Sequence, residues 1–144
     1  RFSAAVFCRS SWRNSLHPDT SEIGRQAEAK AAEFLERNGW RIMARRYRCF
    51  GGEIDLIAVK EGRSRDEDHL AFVEVKYRRN CRMGRPAEAV DYRKQRRLAY
   101  TAGRFLAGQR WQGTLSFDIM EVSGAAMEHI VHIPNAFCPP GFYG

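Results

Sequence analysis

The sequence predicts a layered α/β fold in which helices cover both faces of a β-sheet. Two amphipathic helical patterns alternate with groups of strand patterns, and the strand pattern Leu70–Tyr77 is apolar on both faces. A strand of this kind is typical of a sheet buried between helical layers. The chain has 144 residues, enough for one such domain and few for two.

Both helices are bounded by residues that favour helix ends. The first is expected to begin at Asp19–Ser21, whose side chains cap helices, and to end at Asn38–Gly39. The second is expected to begin at Asp91 and to end near Ala107. A loop over Gly84–Val90 precedes it, and Pro86 is able to begin a short helix there.

The remaining patterns define the strands and the limits of the domain. The expected strands are Trp40–Arg48, Glu53–Val59, Leu70–Tyr77, Thr114–Val122 and Met127–Ile133. The residues from Pro134 onward are expected to be irregular. We therefore expect a flexible N-terminal extension over residues 1–18, a single domain over residues 19–137 and an irregular tail over residues 138–144.

Composition excludes several classes of protein. Hydrophobic residues make up 44% of the chain, which is enough for a core and argues against global disorder. No apolar run approaches the roughly 20 residues of a membrane helix, so we expect no membrane association and a cytoplasmic protein. The four cysteines form no C-x-x-C pair, so a zinc module is not expected.

The positive charge is concentrated in one part of the chain. Lys and Arg number 24 against 17 Asp and Glu, and the stretch from Lys76 to Arg110 alone holds 11 basic and 2 acidic residues. A local excess of this size suggests a polyanionic partner, most often nucleic acid. Because 20 of the 24 basic residues are arginine, a GC-rich genome is an alternative source of the bias.

Three acids and one lysine break the apolar patterns. Glu28 lies inside the apolar arc of the first helix, where an unpaired carboxylate would need a cation or a hydrogen-bonding partner. Asp55 shares a strand face with Ile57, and Glu74 and Lys76 share the face of Phe72. Each residue alone is compatible with a surface ion pair or a solvated strand end. Taken together, Asp55 and the later run Glu74-Val75-Lys76 form the D…E-x-K arrangement of a metal-dependent nuclease.

The residue types suit that chemistry. Mg²⁺ prefers hard oxygen ligands, and carboxylates are able to hold it beside a scissile phosphate. A neighbouring lysine is able to orient the attacking water and to stabilise the charged transition state. Lys76 is one of only 4 lysines among the 24 basic residues, so composition alone would favour arginine at this position.

The second helix carries a basic stripe of Arg93, Arg96, Arg97 and Arg104 that includes Tyr100. Such a stripe suits a phosphate backbone, although a solvated helix face is the ordinary alternative. Gln95 lies on the opposite, apolar face. Its amide is either a hydrogen-bonding group of the core or a site residue that contacts water or phosphate.

At these residues the sequence resembles a known family. The segments Gly24–Glu28, Gly52–Ala58, Phe72–Arg78 and Pro86–Leu98 are similar to those of the YraN-like family of small bacterial proteins. The resemblance covers residues 21–122 and extends weakly to residues 132–137. It implies the restriction-endonuclease-like three-layer fold of the PD-(D/E)xK nucleases, which has a central mixed β-sheet flanked by helices.

The resemblance also implies a set of site residues. Asp55, Glu74 and Glu28 would be ligands of Mg²⁺ or Mn²⁺, Lys76 the catalytic lysine, and Gln95 a polar helix residue of the site. The expected nucleic-acid-binding residues are Arg78, Arg79, Arg93, Lys94, Arg96, Arg97 and Tyr100. Ile54 stands where the superfamily usually has proline, and Arg63–Asp68 is a charged insertion.

Three functions follow from these observations. The leading hypothesis is a metal-dependent endonuclease that hydrolyses phosphodiester bonds in DNA, with branched or damaged DNA as candidate substrates. The second is a nucleic-acid-binding module without turnover, and the third is an interaction module that docks an acidic protein. A homodimer would suit duplex cleavage, since this requires two cuts.

Overall fold

Two helices and five strands are found in the part of the chain described by the computed structural model, residues 20–80 and 90–142. In chain order they are α1 (Thr20–Arg37), β1 (Arg41–Cys49), β2 (Gly52–Lys60), β3 (His69–Arg78), α2 (Tyr92–Leu106), β4 (Thr114–Ser123) and β5 (His129–Phe137). The expected N-terminal extension and the short helix expected at Pro86 lie outside the described residues.

The strands form one mixed sheet in the order β1-β2-β3-β4-β5. The pairs β1–β2, β2–β3 and β4–β5 are antiparallel, whereas β3 and β4 are parallel. A parallel pair requires a crossover connection, and α2 lies in the segment that joins β3 to β4.

The two faces of the sheet contribute to separate hydrophobic clusters. Leu56, Ala58 and Val73 pack with the buried residues of α1, while alternate residues such as Ile57 and Phe72 pack with α2. Side chains alternate between the faces of a strand, so α1 and α2 cover opposite faces. The predicted three-layer α/β fold with a central mixed sheet is confirmed.

Hydrogen bonds confirm the predicted start of α2 and the predicted end of α1. Asp91 is the N-cap of α2, where its side chain accepts a bond of 2.8 Å from the backbone N–H of Lys94. The chain leaves α1 through Gly39, whose φ of 85° is readily adopted by glycine. The N–H of Trp40 then donates to the carbonyl of Leu35.

The expected end of β5 at Ile133 was wrong, because the strand continues through Pro134 to Phe137. An edge strand tolerates proline, since the missing N–H would not be needed by a second neighbour. Beyond the proline, the N–H of Asn135 donates to Oδ1 of Asp118 on β4, at 3.1 Å. The strand also begins later than expected, at His129, because Met127 has a φ of 55° in the preceding turn.

The turn between β1 and β2 packs directly on α2, and this predicts a sensitive glycine. A Cβ at Gly52 would lie 2.2 Å from Oγ1 of Thr101, which is fully buried. We expect Gly52→Ala to lower the free energy of unfolding by about 1–3 kcal/mol, as overpacking does. Gly103→Ala is the matched control, because no atom of the described residues lies within 4 Å of its added Cβ and alanine favours the helix. Chemical denaturation should place the two variants on opposite sides of the wild type.

Candidate active site

The acids predicted from the sequence lie where the sheet divides. The β2–β3 ladder runs from Lys60 and His69 to Leu56 and Val73, and it ends there. In this register the next pair would be Asp55 and Glu74, and like charges placed directly opposite each other destabilise a sheet. Strand β3 remains paired with β4 as far as Arg78, so a gap opens between β2 and β3 only.

Asp55 accepts a hydrogen bond from a backbone N–H of β3 that lies beyond the last β2–β3 pair. Its Oδ2 accepts a hydrogen bond of 2.8 Å from the N–H of Val75. Burial raises the pKa of Asp55 to about 7, and the nearby Glu74 carboxylate adds to the rise, while the Val75 hydrogen bond opposes it. In the absence of another cation, Asp55 therefore titrates near neutral pH.

Three carboxylates from two elements converge beside this gap. Ligand oxygens of Glu28, Glu53 and Asp55 lie within 4.8 Å of one another. Glu28 comes from α1, and Glu53 and Asp55 come from β2. Glu28 therefore meets the two acids of β2 from the helix that covers one face of the sheet, beside the point where the strands separate.

Glu53 was missed by the sequence analysis. Its signal was available, since Glu53 and Asp55 are two residues apart in a strand and project to the same face. A glutamate at the start of an expected strand looks like a solvated terminus, however. Only the approach of α1 shows that Glu53 faces Glu28.

Arg46 is the cation that Glu28 was expected to need. Its Nε lies 3.1 Å from Oε2 of Glu28 and 3.6 Å from Oε1 of Glu53. This Nε is buried and, within the described residues, makes no hydrogen bond, so its interaction with the acids is one of charge. Arg46 has a φ of 49°, an uncommon conformation for a residue other than glycine. Burial raises the pKa of Glu28 above its usual value despite this neighbour.

Glu74 is paired with two lysines from different elements. It is 4% exposed, and its Oε1 accepts a short hydrogen bond from Nζ of Lys94 on α2. Nζ of Lys76 lies 3.2 Å from the same oxygen. Burial would lower the pKa of Lys94, but the hydrogen bond and the attraction to Glu74 raise it above its ordinary value. The predicted Glu74–Lys76 pair is thus accompanied by a second lysine, which the sequence analysis assigned only to nucleic-acid binding.

The donor set suits a hard divalent cation. It consists of carboxylate oxygens, and the positive charge available nearby is shared among Arg46, Lys76 and Lys94. Mg²⁺ and Mn²⁺ bind such oxygen ligands, whereas the thiolate and imidazole groups favoured by softer metals are absent from this cluster of the described residues. Glu28, Glu53 and Asp55 are the residues whose oxygens lie close enough together to hold one ion. The predicted ligand Glu74 lies outside this group and pairs with the two lysines.

Not every predicted site residue joins the acids. The amide nitrogen of Gln95 donates to the carbonyl of Val90 at 3.1 Å, which is the core hydrogen bond considered as one alternative. Arg78 pairs with Glu121 at 3.8 Å, and Arg79 is exposed beyond the end of β3. The remaining predicted nucleic-acid contacts lie along α2, where Arg93, Arg96 and Arg97 are exposed (as is Tyr100).

Comparison with known proteins identifies the family. The sequence matches the model of the uncharacterised protein family UPF0102 over residues 27–122. The chain belongs to this family. The match confirms the predicted YraN-like resemblance. It spans every member of the acid cluster and both lysines.

The UPF0102 assignment is supported by full-length similarity to several bacterial proteins. A UPF0102 protein of Geobacter metallireducens is 39% identical over 125 residues, which cover 85% of this chain and 96% of the relative. One from Caldicellulosiruptor saccharolyticus is 42% identical over 120 residues, covering 81% and 97%. One from Myxococcus xanthus is 35% identical over 127 residues, covering 87% and 96%.

The helices of this UPF0102 protein also bear on the expected absence of a membrane span. Within residues 20–80 and 90–142, neither helix combines the length and apolar character needed to cross a bilayer.

Proposed function

We propose that this protein is a divalent-metal-dependent endonuclease that hydrolyses phosphodiester bonds in DNA, with branched or damaged DNA as candidate substrates. The observation that carries the proposal is the convergence of Glu28, Glu53 and Asp55 where β2 and β3 separate. Glu74, with its two lysines, lies near enough to Asp55 to raise its pKa. A protein that only bound phosphate would be hindered by clustered carboxylates, since they repel the ligand. A cation held by these acids accounts for both their number and their proximity to one another.

Each group has a role in this proposal. Glu28, Glu53 and Asp55 hold the cation. When bound, the ion would supply charge neutralisation at the phosphate and lower the pKa of a coordinated water. Lys76 and Lys94 share Oε1 of Glu74, so either ammonium group is near enough to stabilise negative charge that develops on the phosphate.

A cleavage assay tests the proposal directly. Purified protein is incubated with single-stranded, duplex, flap and four-way-junction DNA, with Mg²⁺, with Mn²⁺ or with a chelator. We expect products only in the presence of metal, and the preferred substrate then defines the specificity. Absence of cleavage of every substrate with both metals would contradict the proposal.

Metal binding is expected to depend on Glu53, although no motif points to that residue. We expect Glu53→Gln to weaken Mn²⁺ binding by about 10- to 100-fold, as loss of a charged ligand or its close partner does. Titration calorimetry without DNA measures the effect. Glu61→Gln is the matched control, because Glu61 also pairs with an arginine, Arg41, at 2.9 Å but lies beyond the other end of β2. If Glu53→Gln and Glu61→Gln bind Mn²⁺ with equal affinity, Glu53 takes no part in metal binding.

A second candidate, a nucleic-acid-binding module without turnover, is favoured by a separate observation. Arg93, Arg96 and Arg97 form no ion pair with any residue of 20–80 or 90–142, whereas Arg37, Arg41 and Arg46 are paired. Binding that is as tight with a chelator as with metal, in a protein that cleaves none of the substrates, would favour this candidate.

A further inference from the structure

A groove lies between α2 and the turn that joins β1 to β2. Its volume is about 550 Å³, within the range of ligand sites, which runs from about 300 to 1,000 Å³. Phe50, Tyr92 and Tyr100 line it together with Arg93, Arg96 and Arg97. We call this the aromatic–arginine groove.

The aromatic residues of the groove are unusually exposed. Phe50 is 97% exposed, Tyr92 61% and Tyr100 53%. Among the described residues, four large hydrophobic side chains are exposed, and these three are the ones that share a surface. Exposed aromatic side chains gathered on one surface mark an interaction site, because they gain nothing from contact with water.

The wall formed by the β1–β2 turn is held in place. Gly51 has a φ of 108°, and a Cβ placed there would lie 3.6 Å from Cε1 of Tyr100, so the tyrosine ring lies alongside the turn. Gly52 packs still more closely on Thr101 of α2. Phe50 therefore projects from a turn that is anchored to the helix.

The charge of the groove selects a polyanion. Among the described residues, its lining contains three arginines and no carboxylate. Within the described part of the chain these arginines form no ion pair, so their guanidinium groups are able to contact phosphate. Arginine side chains would be sufficient for duplex DNA or for an acidic peptide, but neither ligand presents flat apolar faces to three aromatic rings. Unpaired nucleotides present phosphates and base faces together.

The groove and the candidate active site use neighbouring residues at the start of β2 and of α2. Gly51, in its lining, precedes Glu53 by two residues, which correspond to about 7 Å of extended strand. This distance matches about two stacked nucleotides at ~3.4 Å each. On α2, Lys94 of the site follows Arg93 of the groove directly.

We infer that the aromatic–arginine groove binds unpaired nucleotides next to the phosphate to be cleaved, with bases stacked on Phe50, Tyr92 and Tyr100 and phosphates paired with the arginines. The substrate is then DNA with a single-stranded segment at the cut site. The inference rests on the proposed function for the identity of the polyanion.

Binding measurements in a chelator test the groove without catalysis. The probes are fluorescent oligothymidylate, an abasic chain with the same number of phosphates, a duplex, and polyglutamate. We expect Phe50→Ala combined with Tyr92→Ala to weaken binding of oligothymidylate about 10-fold or more and to leave binding of the abasic chain unchanged. Arg96→Gln should weaken binding of both chains and reduce the dependence on salt.

Val131→Ala is the matched control, because Val131 is 53% exposed but lies on β5, outside the groove. Both aromatic residues are largely exposed, so their loss leaves the core intact, and circular dichroism verifies this. Equal weakening on oligothymidylate and the abasic chain would overturn the inference. Tighter binding of polyglutamate than of oligothymidylate would also overturn it, in favour of an acidic protein partner.

Cleavage distinguishes this inference from the proposed function. If wild type cleaves no DNA but binds oligothymidylate through Phe50 and Tyr92, the proposed function fails and the groove inference is supported. If the aromatic double variant cleaves single-stranded and duplex DNA in the same ratio as wild type, the groove inference fails and the nuclease remains.

Discussion

Glu74→Gln is expected to reduce metal-dependent DNA cleavage by about 100- to 1,000-fold, the size of effect seen when one preorganised electrostatic group is removed from an active site. Glu74 is 4% exposed and its Oε1 contacts both Lys76 and Lys94, so its charge is buried beside the groups that would act on the phosphate. Glutamine keeps the volume and a carbonyl acceptor for the lysines. It removes the negative charge that faces the two ammonium groups.

The measurement is the initial rate of cleavage on the substrate that wild type prefers, with binding measured separately. We expect DNA binding to persist, because the arginines of α2 are unchanged. Glu61→Gln, which removes a glutamate from an exposed ion pair with Arg41, should cleave at the wild-type rate. If Glu74→Gln also cleaves at that rate, Glu74 has no part in catalysis.

Asp55→Asn is expected to stabilise the protein while it abolishes metal binding. The pKa of Asp55 is raised from 3.8 to about 7 in the folded protein, so its ionised form is disfavoured there relative to the unfolded chain. An asparagine oxygen is able to accept the same hydrogen bond from Val75, and it carries no charge next to Glu74.

The sign of the effect follows from the direction of the shift. Below about pH 4, Asp55 is protonated in both states and costs nothing. As pH rises to about 7, the unfolded chain ionises first, and wild type loses stability at about 1.4 kcal/mol per pH unit. The free energy of unfolding of Asp55→Asn should therefore exceed that of wild type by about 2–4 kcal/mol at pH 8, and the two should converge near pH 4.

Urea denaturation over this pH range, with a chelator, measures the difference. The two proteins share their other titrating groups, such as His69, whose pKa is lowered mainly by burial. The contribution of these groups to the pH dependence therefore largely cancels when the two free energies of unfolding are subtracted. Saturating Mn²⁺ should stabilise wild type, because a ligand that binds only the folded state adds to its stability. The difference in free energy of unfolding between Asp55→Asn and wild type should then become smaller. If the difference in free energy of unfolding does not change with pH, ionisation of Asp55 does not destabilise the folded protein.

The elements and several site residues were predictable because their signals are local. Apolar periodicity and end-capping residues located α1 and α2, and the residues that broke the periodicity were Glu28, Asp55 and Glu74. A charged side chain in an apolar pattern carries an energetic cost wherever the element packs. Such a residue therefore predicts that a charged or hydrogen-bonding partner is present, but the sequence does not show which residue that partner is.

Other parts of the site depend on contacts between distant segments. Arg46 is one arginine among 20, and no local pattern connects it with Glu28. The pairing of Lys94 with Glu74 requires the first turn of α2 to lie within a side chain's reach of β3. Phe50 looks like an ordinary turn residue until the close contact of Gly52 with α2 places it beside Tyr100.

The sequence by itself therefore determined the α/β class, the limits of the helices, the family and the buried acids, since each of these depends on periodicity, capping or a contiguous motif. Only the tertiary structure decided where the β2–β3 ladder ends, which cations neutralise which acids, that Glu53 joins the acid cluster, and that exposed aromatic and arginine side chains share a groove. The physical reason is that Coulombic pairing and packing depend on distances in space. Those distances are set by the layers of the fold and not by separation along the chain.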